Sequence, residues 1–181
     1  MAIRRLYILV AVLMFSIGST ATAHAQGKIQ IDDGIKQRLM ALDALRGGKV
    51  DAKSFDGRPL LVTFFASWCP PCRVEFRGFA SYIEANGADK VNIIAVNWIE
   101  GLAGRSPARL KRFIRDIHPS IKVVSGTSGV VRDFGGVLSI PAAYIFDKSG
   151  KEVFRLGGDR GGHGRHYLKR RQLERVLKKI G

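Results

Sequence analysis

Two short apolar runs near the middle of the chain set the expected fold. Residues 60–65 (LLVTFF) and 91–96 (VNIIAV) are rich in β-branched and aromatic side chains with few polar interruptions. Such runs are typical of strands buried on both faces of a parallel sheet. Between them, apolar side chains recur at helical spacing, at Phe76, Phe79, Ala80 and Ile83. The pattern therefore predicts a β-α-β unit, whose crossover is right-handed in nearly all proteins.

The second half of the chain continues this alternation of strands and helices. Ser106 and Pro107 are an N-cap and a first-turn proline, and they predict a helix that ends before Pro119. Three short strands are also predicted, the last two as a β-hairpin, at residues 122–124, 142–146 and 152–154. The C-terminal segment predicts an amphipathic helix. Its apolar face consists of Leu173, Val176, Leu177 and Ile180.

The segment before the first apolar run predicts a smaller element. Residues 40–45 (MALDAL) roughly alternate, Gly47-Gly48 supplies a turn, and residues 49–51 return, which is the pattern of a β-hairpin. Residues 27–36 are polar and predict a loosely held N-terminus. The predicted fold class is therefore α/β, with a central mixed β-sheet, helices on both faces and an N-terminal β-hairpin extension.

The first 25 residues have the composition of an export signal. A basic start is followed by an apolar stretch at residues 6–17 and a small-residue cleavage site, Ala23-His24-Ala25. The apolar stretch is shorter than the ~20 residues that a membrane-spanning helix needs. We therefore predict a signal peptide of residues 1–25 and a folded domain of residues 26–181 in the periplasm. An uncleaved membrane anchor is the alternative.

Charge adds a possible partner surface. The chain has 181 residues, a net formal charge of +15 and 46% hydrophobic residues, which suit one folded domain rather than a disordered chain. The polar face of the C-terminal helix is basic, with Lys169, Arg170, Arg171, Arg175, Lys178 and Lys179. Such a face is commonly just solvated, but it can also attract anionic lipid headgroups or an acidic protein. Nucleic acid is not the expected partner of an exported protein.

The chain contains only two cysteines, Cys69 and Cys72, at the predicted junction of the first central strand and its helix. A structural zinc site needs four ligands, and His163 and His166 do not have the spacing that would complete one. A structural disulfide would close a minimal loop and add little stability. A redox-active pair explains more of the sequence.

The two prolines between the cysteines fit the redox interpretation. Pro70 and Pro71 fall in the first turn of the predicted helix, where the missing N–H would be unpaired in any case. The sulfur of Cys69 is then expected at the helix N-terminus, where unpaired N–H groups and the helix dipole favour the thiolate. Cys72, one turn later, is expected to be the shielded resolving thiol.

The segment around the cysteines also resembles a known family. Residues 64–75, which include WCPPC, closely resemble the active-site segment of TlpA-like and ResA/DsbE-like thioredoxin-fold proteins. The resemblance extends from about Leu42 to the C-terminus and includes residues 57–59 (GRP) and 137–150 (VLSIPAAYIFDKSG). It implies a thioredoxin-like fold and a thiol–disulfide oxidoreductase that works without a metal or cofactor.

The same resemblance implies roles for residues around the cysteine pair. Pro141 is expected to be cis and to lie beside the sulfurs, and the Ile140 backbone is expected to pair with an extended substrate segment. Trp68 is expected either to cover the site as an apolar lid or to be core packing. Glu75 is expected either to modulate proton transfer at the cysteines or to be a solvated acid of the first turns. Thr63 stands where thioredoxin itself has a buried acid.

The expected function is thiol–disulfide exchange on exported proteins, in the reducing direction. Cys69 attacks a disulfide of a protein such as an apocytochrome c, and Cys72 resolves the mixed disulfide. By resemblance, a membrane thiol carrier would be the electron donor. Two alternatives remain at this stage, a thiol oxidant of the same fold and a non-enzymatic copper or haem carrier that uses the two cysteines.

Overall fold

A computed structural model describes residues 27–104, 106–158 and 167–181. The predicted signal peptide, residues 1–25, lies outside the described residues, as do His163 and His166. No helix within the described ranges combines the length and the apolar character needed to cross a bilayer.

The described residues form one six-stranded mixed sheet. Its strands are β1 (Ala44–Arg46), β2 (Leu60–Phe65), β3 (Asn92–Asn97), β4 (Lys122–Ser125), β5 (Ala142–Phe146) and β6 (Glu152–Leu156). The spatial order is β1-β4-β3-β2-β5-β6. β2, β3 and β4 run parallel, whereas β1, β5 and β6 pair antiparallel with their neighbours. All six residues of β2 are buried, which confirms its prediction as a central strand.

Helices cover both faces of this sheet, as predicted. They are α1 (Asp33–Met40), α2 (Pro70–Asn86), α3 (Pro107–Arg115), α4 (Ser128–Asp133) and α5 (Arg170–Ile180), with short 3₁₀ turns at Ala52–Phe55 and Glu100–Ala103. α2 begins directly after the predicted junction and ends at Gly87, whose φ of 97° favours glycine. α3 begins at the predicted N-cap, because the side chain of Ser106 accepts a hydrogen bond from the Arg109 N–H.

Alternating side chains of β2 anchor the two helix layers. Phe65 stacks on Phe113 of α3 with ring centroids 5.3 Å apart and meets Phe76 of α2 edge-on at 5.1 Å. Phe64 points to the opposite face and meets Phe134 and Tyr144 edge-on, at 5.2 and 6.0 Å. The layer of α2 and α3 also includes α5, which packs against α2, whereas α1 packs against α4 on the other face.

The predicted N-terminal β-hairpin over residues 40–51 is wrong. β1 pairs with β4, with Ala44 opposite Val124, and residues 49–51 form no strand. Asp51 instead caps the first 3₁₀ turn, because its carboxylate accepts a hydrogen bond from the Ser54 N–H. The alternation had suggested a local partner strand, but a distant strand supplies the pairing.

The expectation of a loosely held N-terminus is also wrong. Asp32 is the N-cap of α1, and its carboxylate accepts a hydrogen bond from the Ile35 N–H at 2.8 Å. Ile35 and Leu39, four residues apart, are buried on one face of that helix. Ahead of it, Gln30 forms a β-bridge with Lys151. The capping signal was present in the sequence but was outweighed by the polar composition.

Candidate active site

Cys69 and Cys72 are joined by a disulfide where β2 gives way to α2. Cys69 is the N-cap of α2, and its Sγ accepts a hydrogen bond from the Cys72 N–H at 3.2 Å. The exposed fraction is 3% for Cys69 and 0% for Cys72. The pair is therefore asymmetric, since the first residue retains slight access to solvent and accepts the hydrogen bond, whereas the second residue has no exposed surface.

The two prolines occupy the first two positions of α2. Pro70 is exposed and Pro71 is half-buried, so the first turn lies at the protein surface. No acidic side chain stands in that turn to offset the positive end of the helix dipole. The arrangement leaves the Cys72 N–H aimed at the Cys69 sulfur, and a donor in that position stabilises a thiolate.

Glu75 is fully buried on α2, one helical turn after Cys72. Its carboxylate accepts hydrogen bonds from the Thr63 hydroxyl and from the Leu168 N–H, each at 2.8 Å. Burial raises the pKa of Glu75 to about 7, although these two hydrogen bonds oppose the shift. The alternative of a solvated first-turn acid is therefore wrong. Glu75 is a buried carboxyl that can exchange a proton near neutral pH, three residues after Cys72.

Trp68 is half-buried and packs against the core immediately before Cys69. Its indole N–H donates a hydrogen bond to the Ile99 carbonyl at 3.3 Å, and the Leu102 N–H donates to the same oxygen at 3.1 Å. Ile99 has a φ of 50°, a left-handed conformation that is strained for a β-branched residue. The indole is thus held by a strained loop that follows β3.

The peptide bond between Ile140 and Pro141 is cis, as expected. Pro141 directly precedes β5, and Ala142 pairs with Phe64 near the end of β2. β5 begins beside the end of β2, because the two strands are antiparallel. Pro141 therefore lies at the end of the sheet where β2 leads on to the cysteines. The loop before Pro141 is held to this edge by the Trp98 indole N–H, which donates to the Val137 carbonyl at 3.2 Å.

Comparison with known proteins identifies the family of the chain. The sequence profile of the AhpC/TSA family matches residues 35–153. The chain belongs to the AhpC/TSA family. Within it, the chain is similar to the thiol-disulfide oxidoreductase ResA of Bacillus subtilis (strain 168), with 27% identity over 154 residues that cover 83% of each chain. ResA of Bacillus thuringiensis subsp. konkukian is 24% identical over 180 residues, 97% of this chain and 96% of its own.

Solved structures agree on the fold. StoA from Bacillus subtilis superposes with a TM-score of 0.56 at 20% identity, over 75% of this chain and 92% of its own. The predicted thioredoxin-like fold is thereby confirmed, and the family match and the ResA relatives confirm the predicted ResA-like membership and enzyme class. This member of the AhpC/TSA family is a thiol–disulfide oxidoreductase.

Sequence reasoning missed a polar cluster behind the turn that precedes Cys69. The carboxylate of Glu100 accepts hydrogen bonds from the Ser67 N–H at 2.8 Å, from the Ser67 hydroxyl, and from the Asn97 amide at 2.9 Å. Arg109 of α3 donates to the Ser67 hydroxyl at 3.1 Å and lies 3.8 Å from Glu100. The cluster fixes the backbone two residues before Cys69 through contacts with β3 and α3.

One signal could have identified this cluster. Asn97 is the last residue of a buried parallel strand and Glu100 follows three residues later, at the carboxyl end of the strands where functional side chains commonly gather. Arg109 carries no comparable signal, because its position on α3 resembles that of the neighbouring exposed cations.

Glu75 predicts a specific pH dependence of stability. The folded state holds its proton up to about pH 7, whereas an unfolded glutamate releases it near 4.5. The free energy of unfolding should therefore fall as pH rises from about 4.5 to about 7, by about 3 kcal/mol from this residue. Glu75→Gln removes the titration. Urea unfolding of the oxidised protein at a series of pH values measures the difference between the two chains.

Glu84→Gln, on the exposed part of the same helix, is the matched control and should follow the wild-type pH profile. Parallel pH profiles for wild type and Glu75→Gln would contradict the assignment of a buried, titrating carboxyl.

Proposed function

We propose that this chain is an exported disulfide reductase, made with a signal peptide of residues 1–25 and active as a periplasmic domain of residues 26–181. The observation that carries the proposal is the asymmetric cysteine pair at the N-terminus of α2. The Cys69 thiolate attacks a substrate disulfide, forms a mixed disulfide and releases one substrate thiolate. The Cys72 thiolate then displaces the second, so two electrons pass to the substrate and the Cys69–Cys72 disulfide forms.

Glu75 is proposed to take the proton from Cys72 during the second step. A pKa of about 7 lets the carboxylate accept a proton at neutral pH and return it when the pair is reduced again. Thr63 supports this role by donating a hydrogen bond to the carboxylate, although its hydroxyl cannot itself act as a base at neutral pH. In this proposal the buried acid belongs to α2, whereas β2 supplies only the Thr63 hydroxyl.

The substrate is proposed to be an exported protein with an accessible disulfide, including apocytochromes c of the kind that the resemblance implies. Its segment would lie along the backbone of Ile140, beside Pro141, with Trp68 as an apolar wall. A membrane thiol carrier would return the pair to the dithiol, since the surrounding compartment favours disulfides. No bound cofactor takes part in this cycle.

Pro141→Ala tests the proposed groove. Loss of the proline should slow exchange with a protein disulfide at least about tenfold, which corresponds to about 1.4 kcal/mol of barrier, while reduction of a small disulfide such as glutathione disulfide is affected less. Stopped-flow tryptophan fluorescence can follow both reactions. Equal rates for wild type and variant with the protein substrate would contradict a groove at Pro141.

The residues around Cys69 support the proposed reducing direction. A strong oxidant needs a very stable thiolate, usually with a positive partner such as a histidine between the cysteines. Here prolines occupy those positions, and Glu75, when ionised, opposes a nearby thiolate. Both features favour a modest rather than an extreme stabilisation of the dithiol form.

Redox titration against glutathione tests the proposed function. We expect a reduction potential for the Cys69–Cys72 couple nearer to that of thioredoxin, about −270 mV, than to strong oxidants near −120 mV. The difference of about 150 mV corresponds to about 7 kcal/mol for two electrons, so the titration resolves it. A potential more positive than roughly −170 mV would reject the reductase and favour the thiol oxidant.

A further inference from the structure

Positive charge is distributed unevenly between the two helix layers. The layer of α2, α3 and α5 carries eleven Lys and Arg side chains against three Glu, a net formal charge of +8. The opposite layer of α1 and α4 carries three Lys and Arg against two Asp, a net charge of +1. One face of the molecule is therefore strongly basic, and α3 contributes four of its cations without a single acid.

A groove of about 450 Å³ lies on this basic face at the edge of the sheet, between edge strand β1 and helix α3. Leu45, Ala108 and Ile114 provide apolar surface within it. The cations that line it are Arg46, Lys111, Arg112 and Arg115. The residues that line the groove are thus apolar or cationic, and none of them is acidic.

The four cations differ in the hydrogen bonds and ion pairs that they form within the protein. The Arg46 guanidinium donates hydrogen bonds to the Ile114 carbonyl at 2.6 Å and to the Arg115 carbonyl, at the C-terminal end of α3. Arg115 lies 3.8 Å from the carboxylate of Asp116, in an exposed pair. Lys111 and Arg112 are exposed and have no hydrogen-bond or ion-pair partner among the residues that the structure describes.

We propose that this face docks on an anionic lipid bilayer, with the groove between β1 and α3 as its contact site for phospholipid headgroups. An anionic phospholipid joins a phosphate headgroup to apolar acyl chains, which matches the cationic and apolar side chains that line the groove. An anionic bilayer also presents one sign of charge over a wide area, and its complement is a face that is basic over three helices rather than at a single patch. The docking does not depend on the redox role of the cysteine pair.

The test compares binding of the full chain to phosphatidylglycerol and phosphatidylcholine vesicles by co-sedimentation at physiological ionic strength. The ratio of the two binding constants is the readout, because an apolar N-terminal segment would insert into both kinds of vesicle. Lys111→Gln/Arg112→Gln should lower this ratio about 30-fold, which corresponds to about 2 kcal/mol at about 1 kcal/mol for each cation.

Lys53→Gln/Arg132→Gln is the matched control. It removes the same charge from exposed positions outside the basic layer and should lower the ratio less than about threefold, since the Debye length is about 8 Å. Equal losses in both double variants would overturn the groove as the contact site.

A wild-type chain with no preference for phosphatidylglycerol would overturn membrane docking and leave an acidic protein as the partner of this face. Reduction of a soluble disulfide is measured on the same variants and should not change. This activity measurement distinguishes an error in the docking proposal from an error in the proposed reductase function.

Discussion

The position of Cys69 as the N-cap of α2 is the constraint on which the rest of the site depends. A strand buried on both faces leads to this residue, and a 17-residue helix leaves from it, so the sulfur has little freedom to move. Pro70 and Pro71 have no N–H, so the first N–H of the helix is that of Cys72, and it donates directly to the sulfur. Ser67 and Trp68 directly precede this residue in the chain, and Pro141 lies at the same end of the sheet, next to the Ala142–Phe64 pair.

Much of the fold could be predicted because its signals are local. The apolar run of β2, the stripe of Phe76, Phe79 and Ile83 on α2, and the Ser106 cap of α3 each predict an element without reference to the rest of the chain. The hairpin prediction failed for the opposite reason. Its residues 44–46 pair with β4, almost 80 positions later, and nothing in an alternating segment identifies so distant a partner.

The residues of the candidate site likewise fall into those that could be predicted from local sequence and those that could not. Cys69, Cys72 and the two prolines could be identified from spacing and from their place between a strand and a helix. The burial of Glu75 could not, because it depends on Thr63 of β2 and on Leu168, 93 residues away. The Glu100 cluster combines residues from three segments and fixes the turn before Cys69. Such contacts form only when the helices pack on the sheet. The reacting cysteines can therefore be identified from the sequence, whereas the contacts that position the residues around them cannot.

Mixed-disulfide trapping with the two single cysteine variants tests this account most directly. If the helix N-terminus makes Cys69 the attacking thiol, Cys72→Ser should accumulate mixed disulfides with partner proteins, visible on non-reducing gels and cleaved by reductant. Cys69→Ser should accumulate few, because Cys72 is fully buried. Equal trapping by both variants, or trapping by Cys69→Ser alone, would contradict the assignment of Cys69 as the nucleophile.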